Sequence, residues 1–444
     1  MFGTGLGHYI PIVVYLGFWV MSIVSLVKQP LWGFYFMLPF LPYRTLRDRI
    51  IDYPLGAYML TILLLCVIAG ALLRGKRLPK TKMYAIWLIF AIYLYISLWI
   101  GAALKGAPLP IWQNAANFAT WKAYMIIPMV FVAAGLVIED RKSIKMTILI
   151  TAIALALIDR SCILESLTRS WSSFSENKRT DSPLAYGPNQ AAAFLVQFAM
   201  FFWGLTQFVK RIKFKVIGYA LVAATLFAMM YMFSRAGYAA ALFAVLLLGL
   251  LKDRKMLLVF AAFLLTWQTL VPTAVRERVK MTDENGQLDT SAQERIDLWE
   301  NAREAIVESP IVGQGFATFQ LGEHVDNLKD THNYYVKVIV ETGIVGLGIF
   351  LFLLQQMAAT SYRLFKRASD PLYRGLGLGL LLATSACLVG NFFGDRWTYL
   401  EIMGLLWVQF AAAVRALELS AAESFAPPVK TEPAAVANPY LLYR

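Results

Sequence analysis

The sequence predicts an all-α polytopic membrane protein with about 12–13 transmembrane helices and one long outward-facing loop that carries an amphipathic helix. Three observations predict it. Of 444 residues, 59% are hydrophobic and only 16% charged, and the mean hydropathy is +0.58, more apolar surface than a soluble chain could cover. Unbroken apolar runs of about 20 residues recur along the chain, the length of a membrane helix and not the alternation of a membrane barrel. The connections between the runs alternate in charge, as loops on two sides of a bilayer do.

In chain order, the runs at 9–27, 31–42, 54–73, 83–103, 119–138, 144–160, 189–209, 214–233, 236–251, 255–271, 334–361, 373–391 and 397–417 are expected to be membrane helices, with 31–42 short for the role. The first lacks a basic flank and a small-residue cleavage site, so it reads as a helix and not as a removed signal peptide. The loops "RGKRLPKTK" (74–82), "EDRKSIK" (139–145), "KRIKFK" (210–215), "KDRK" (252–255) and "YRLFKRASDPLYR" (362–374) are short and basic, which assigns them to the cytoplasm. The longer, mixed connections 43–53, 104–118, 161–188, 272–333 and 392–396 then face outward. Twelve Trp and 21 Tyr suit the two interfaces with the lipid bilayer. The net charge of +13 is thus first a sidedness signal; nothing in its pattern points to nucleic acid.

The expected organisation is N-terminal transmembrane helices over 1–271, an external loop over 272–333, C-terminal transmembrane helices over 334–419 and a Pro/Ala-rich disordered tail over 420–444. Within the loop, "SAQERIDLWENAREAIVES" (291–309) places Ile296, Trp299, Ala302 and Ile306 on one helical face and opens on a Ser291/Glu294 capping box. "PIVGQGFATF" then turns the chain. Cys66, Cys162 and Cys387 lie far apart in or near apolar runs and read as small buried hydrophobes, with neither disulfide nor metal spacing. The outer side shows no Asp-x-Asp pair, so no metal and no cofactor is expected.

The outward segments are rich in arginine: Arg44, Arg47, Arg49, Arg160, Arg169, Arg179, Arg235, Arg276, Arg278, Arg295, Arg303 and Arg396. Each could simply pair with an outer carboxylate or snorkel. As a set they run against the positive-inside bias, and the guanidinium fork suits bidentate binding of phosphate. Arg235, in "YMFSRAGYAAALF", stands between two apolar runs with almost no loop, so it either snorkels or faces a polar cavity. Arg179 opens "RTDSPLAYGPNQAAAFLVQF", in which Pro188 and Asn189 begin a helix, with Asn189 or Gly187 as its cap and the helix N-terminus a ready anion site.

"KDTHNYYVKVIVETG" (329–343) puts a histidine at the mouth of the next helix. Asp330 or Thr331 is expected to cap it, which places His332 in the first turn, where the helix dipole disfavours the imidazolium and leaves a neutral ring able to act as a base. The bland alternative is a capping histidine at the interface. Asn333, Lys337 and Glu341 form a polar stripe to which the sequence assigns no role, and Gly343, Gly346 and Gly348 are expected to permit tight helix packing. His8 and His324 read as an interface and a loop residue.

"SRAGYAAAL", "ERIDLWENAREAIVESPIVGQGFATF" and "HNYYVKVIVETGIVGLGIFLFLL", in that order, together with "RTDSPLAYGPNQAA", resemble the O-antigen ligase and polymerase superfamily of bacterial membrane glycosyltransferases, of GT-C type. The resemblance covers roughly 175–360 closely and the rest in hydropathy. It implies a donor glycan carried on undecaprenyl diphosphate, an acceptor glycan, an active site facing the periplasm from the inner membrane, and chain-length regulators or export proteins as further partners. It implies that His332 activates the acceptor hydroxyl and that Arg179 and Arg235 hold the diphosphate, with Arg295 joining them and Asn189, Asn333 and Asp330 in support. The chemistry agrees: arginines can stabilise the leaving diphosphate without a metal, and direct attack inverts the anomeric centre. The expected activity is surface polysaccharide (O-antigen or exopolysaccharide) polymerisation, since nothing in the chain ties it to a lipid A core; a ligase that transfers the glycan to lipid A core or another acceptor shares these motifs and is the alternative. A transporter of lipid-linked glycan is the competing class; it would place charge near the bilayer midplane.

Overall fold

The computed structural model describes residues 9–111, 115–169, 173–175, 178–280, 283–284, 287–288, 290–321 and 331–425. In chain order the helices are α1 (Ile10–Val27), α2 (Pro30–Met37), α3 (Arg44–Asp48), α4 (Met59–Leu73), α5 (Lys82–Lys105), α6 (Ala116–Val137), α7 (Arg141–Leu167), α8 (Pro188–Thr206), α9 (Ile212–Met230), α10 (Arg235–Leu251), α11 (Lys255–Leu270) and α12 (Thr273–Lys280). A two-residue hairpin, β1 (Asp283–Glu284) against β2 (Gln287–Leu288), precedes α13 (Thr290–Glu308), α14 (Thr318–Leu321), α15 (Tyr334–Arg367), α16 (Pro371–Asn391) and α17 (Leu400–Phe425).

The protein is an all-α polytopic membrane protein. Among the described residues nine helices are long and apolar enough to cross a bilayer, or ten if α11 and α12, bent by 111° at Val271–Pro272, count as one broken span. Helix α10 is shorter, at 17 residues. The segment 31–42 is not a span: α2 has eight residues, about 12 Å of helix, and continues into a 3₁₀ turn that returns the chain. The boundary expected at 420 falls inside α17, which runs to Phe425; the rest of the expected tail lies outside the described residues.

Helix α17 is almost wholly buried, and α1 and α11 are peripheral. Helices α8 and α16 cross at glycines: a Cβ on Gly204 would stand 2.6 Å from Gly379 Cα, and one on Gly379 would stand 2.3 Å from the Phe201 carbonyl oxygen. This contact fixes a common frame. From Gly204 back to Pro188, and from Gly379 on to Asn391, both helices climb to the same end of the bundle, the end assigned to the outside by charge. Tyr335 Oη donates to the Leu388 carbonyl at 3.0 Å, so α15 starts at that end too.

Gly343 does not serve packing between continuous helices, as the sequence suggested; it breaks α15, with φ 64° and ψ −170°. The break exposes backbone groups that cannot stay unsatisfied inside a membrane protein. The segment 310–316 inserts and takes them. Gln314 N donates to Val340 O (2.8 Å) and Gly315 N to Glu341 O (3.0 Å), while Ile344 N donates to Pro310 O (2.9 Å) and Val345 N to Ile311 O (3.3 Å). Tyr93 Oη and Ser97 Oγ donate to the carbonyls of Thr342 and Glu341. The segment therefore wedges against the break, with Gly313 to Phe316 buried while Pro310 and Ile311 stay exposed.

Candidate functional site

At the outer end the chain gathers polar groups around two helix starts. The first is α8. Its N-cap is Gly187, with no side-chain cap, followed by Pro188; Asn189 falls inside the first turn. Asn189 therefore does not cap. Its Oδ1 accepts from Arg179 Nη2 at 2.7 Å, while Arg179 Nε donates to the Met232 carbonyl at 3.1 Å. Thr180 N and Oγ1 both donate to Tyr231 O, so two consecutive residues pin this loop to the α9–α10 turn. That turn holds Phe233 at φ 48°, a left-handed value rare for an aromatic residue. Ser234 then caps α10, accepting from Gly237 N, and Arg235 is its first helical residue. The structure thus brings Arg179, Asn189 and the Arg235 turn together from segments far apart in sequence.

Beneath this turn lies a cavity of about 470 Å³ between α9, α10, α11 and α12. Leu226, Met230, Leu242, Phe263, Trp267 and Val275 make its wall apolar, and among the described residues Arg235 is the single charged side chain in the lining. The loop above is held to α12: Phe174 N donates to Glu277 Oε2 at 2.7 Å, and the Arg278 guanidinium lies 4.8 Å over the Phe174 ring.

The second helix start is α15. Asn333 is its N-cap, extended at φ −153°, with Oδ1 accepting from Tyr335 N (3.0 Å) and Val336 N (3.3 Å). This corrects the expectation that Asp330 or Thr331 caps the helix; Asp330 lies outside the described residues, as do His8 and His324. His332 is consequently not in the first turn. It precedes the helix with φ 51°, a strained conformation for a residue with a side chain. Both neighbours are buried and fixed. Thr331 Oγ1 donates to Asn333 O at 2.7 Å, and Trp299 Nε1 donates to Thr331 O at 3.0 Å. His332, only partly buried, projects between two anchored residues.

Trp299 belongs to α13, so the expected amphipathic helix is real, but its buried face is shifted. Ala302, Ala305 and Ile306 pack on Val336 and Val340 of α15, whereas Ile296 and Trp299 are 39% and 40% exposed. Arg295 shares the Trp299 face one turn earlier, beyond the start of α15. The side chains of Ser291 and Glu294 lie outside the described residues.

Several of the outer arginines are structural. Arg47 pairs with Glu401, Arg44 with Asp48 (3.6 Å), and Arg169 with Glu165 and Asp181. Arg44 also stands 4.7 Å over the Tyr186 ring, whose hydroxyl is pushed up in pKa by burial and then by Glu401. The sequence missed the partner of Lys337. Asp395, in the α16–α17 loop, accepts from Lys337 Nζ at 3.1 Å, from Thr398 Oγ1 at 2.6 Å and from the backbone of Trp397 and Thr398. Arg396 is buried beside it, with its guanidinium against Gly394.

Residues 220–351 match the family model described as O-antigen ligase. The match starts in α9, covers α10, the cavity, the Arg235 turn, α13 and His332, and ends past the break in α15. No curated protein matches the chain.

Proposed function

Because residues 220–351 match the O-antigen ligase family model, we propose that the chain is a member of that family and transfers a glycan from an undecaprenyl-diphosphate donor to an acceptor hydroxyl at the outer face of the inner membrane. The observation that carries this reading is the cavity under Arg235. An apolar space of about 470 Å³ with a guanidinium at its rim fits a prenyl chain joined to a phosphate head. Arg179, oriented by Asn189, stands beside it. Arg295 approaches on α13, and 272–333 acts as the external catalytic segment.

In this reading the acceptor oxygen attacks the anomeric carbon on the face opposite the diphosphate. The bond from that carbon to the diphosphate oxygen breaks and its electron pair leaves with the diphosphate. His332 takes the acceptor proton, and the anomeric centre inverts. Arg179 and Arg235 stabilise the charge that develops on the leaving group, which makes the reaction independent of a metal. The pinning of Thr331 and Asn333 fixes His332 so that proton transfer needs no loop reorganisation.

The test is the surface glycan made by cells carrying His332→Ala in place of the wild type. General-base loss should lower transfer by about 10²-fold or more with the protein still inserted in the membrane. Wild-type glycan in that strain would sink the assignment. In cells lacking the protein, single repeat units on the lipid mark a polymerase, and long lipid-linked chains awaiting transfer mark a ligase.

A further inference from the structure

At the opposite end of the bundle from His332, a cavity of about 750 Å³ opens between the start of α5 and the ends of α15 and α17. Lys80, Lys82, Arg363 and Arg367 line it, and among the described residues none of the four makes an ion pair or a hydrogen bond. The one carboxylate in the lining, Glu418, is already engaged by Arg415 at 2.5 Å. Arg415 is in turn locked onto the carbonyls of Ile138, Gly135 and Arg77, so Glu418 is not available to neutralise the others.

A sided excess of lysine and arginine is ordinary at this end of a membrane protein. The placement here is not. Arg363 and Arg367 lie one turn apart on α15, where like charges repel. Lys366, on a neighbouring face, is instead parked on the rings of Tyr362 and Phe365, at 5.8 and 5.0 Å. Lys82 is the first residue of α5, capped by Thr81, and a cation there opposes the helix dipole. The same helix start that disfavours Lys82 favours an anion. Ser420 Oγ, also in the lining, is a buried hydroxyl with no hydrogen-bond partner among the described residues. Two local conflicts of charge and one orphan hydroxyl thus surround one cavity, and a single bound anion would relieve all three.

The geometry points to a binding site for a phosphate-bearing ligand in this cavity: the phosphate of an anionic phospholipid headgroup or a soluble phosphate. Arg363 and Arg367 offer planar forks to its oxygens, Lys80 and Lys82 point charges, and Ser420 a donor. The site is separate from the proposed transfer chemistry and does not rest on it.

The experiment is native mass spectrometry of the full chain in neutral detergent. It is titrated in one arm with phosphatidylglycerol against phosphatidylcholine, and in the other with inorganic pyrophosphate. The wild type should retain phosphatidylglycerol over phosphatidylcholine, or take up pyrophosphate. Arg363→Gln/Arg367→Gln and, separately, Lys80→Gln/Lys82→Gln should each reduce that binding about tenfold. Phosphatidylglycerol dependence identifies a headgroup site, and pyrophosphate dependence a soluble ligand. Equal retention of the two lipids with no pyrophosphate uptake overturns the proposal, as does binding that neither double variant changes. The Lys80/Lys82 variant alters exposed side chains that make no ion pair or hydrogen bond among the described residues, so a folding failure of the arginine variant leaves the test intact.

Discussion

Lys337 Nζ lies 3.1 Å from Asp395 Oδ2, with the residues 7% and 3% exposed, and this pair ties the first turn of α15 to the loop between α16 and α17. It gives a partner to Lys337, one of the three residues of the polar stripe, of which Asn333 caps α15. Asp395 holds the loop through four contacts, only one of them from Lys337.

The two ends of the pair should therefore respond differently. Asp395→Ala removes an acceptor from three other donors and leaves a buried ammonium; breaking a buried pair in this way costs roughly 3–5 kcal/mol. Lys337→Met should cost less, since Asp395 keeps the N–H groups of Trp397 and Thr398 and the Thr398 hydroxyl. Thermal unfolding of the two variants in detergent gives the order directly. Equal losses would mean that the ion pair, and not the loop network, carries the stabilisation.

Gly343→Ala tests the broken helix. A Cβ there would stand 2.1 Å from the Ile311 carbonyl oxygen, at a φ/ψ combination almost confined to glycine that costs an L-residue about 1–3 kcal/mol before any clash. The wedge 310–316 must then leave, with the four backbone hydrogen bonds it makes across the break. The variant should lose stability strongly and become protease-sensitive near 310. Gly348→Ala, with nothing within 4 Å of the new methyl, should be neutral or stabilising by up to about 1 kcal/mol. If both glycines tolerate alanine, the break is not needed.

The spans were legible because each is a property of a contiguous stretch: an apolar run long enough to cross reads the same before and after folding. The break at Gly343 was not, because a glycine inside an apolar helix reads equally as a packing contact, and only the arrival of Ile311 decides between the two. The start of α15 was legible from the polar-to-apolar switch beside His332, but its cap was misassigned. Asp330, Thr331 and Asn333 are all good caps, and the choice depends on which backbone is already held by Trp299. Asn189 and Gly187 read equally as the cap of α8; Gly187 takes that place, and the Arg179 contact of Asn189 forms only through the fold. Asp395 was invisible as a partner for Lys337 across 58 residues of chain.

At the basic end, Asp370 caps α16 by accepting from Leu372 N at 2.8 Å and pairs with Arg141. Burial alone would raise its pKa, but the Arg141 and Leu372 hydrogen bonds outweigh it and the net shift is below the ordinary 3.8. A carboxylate with a depressed folded pKa contributes stability in full above 3.8 and loses it as pH falls through the lower folded value. Asp370→Asn should therefore melt lower than wild type at pH 7. The two melting temperatures should converge in acid, below 3.8. A constant gap across that window would show that the cap's shape, not its charge, matters.

Asn189→Asp separates the two readings of Arg179. The side chains are nearly isosteric, so a carboxylate would keep the 2.7 Å contact and add charge to it, leaving the fold as stable as before or more so. If Arg179 only pins its loop to Met232 and Asn189, the variant should work as well as wild type. If Arg179 holds the donor's diphosphate, the aspartate competes for the guanidinium and repels the anion. Glycan transfer should then fall about tenfold or more while the melting temperature holds, a loss of near 1.4 kcal/mol in transition-state binding. Asn189→Ala removes the contact but keeps the site's charge, and should cost less activity than the aspartate and more stability. A ranking with alanine the worse of the two in transfer would assign Arg179 to the scaffold.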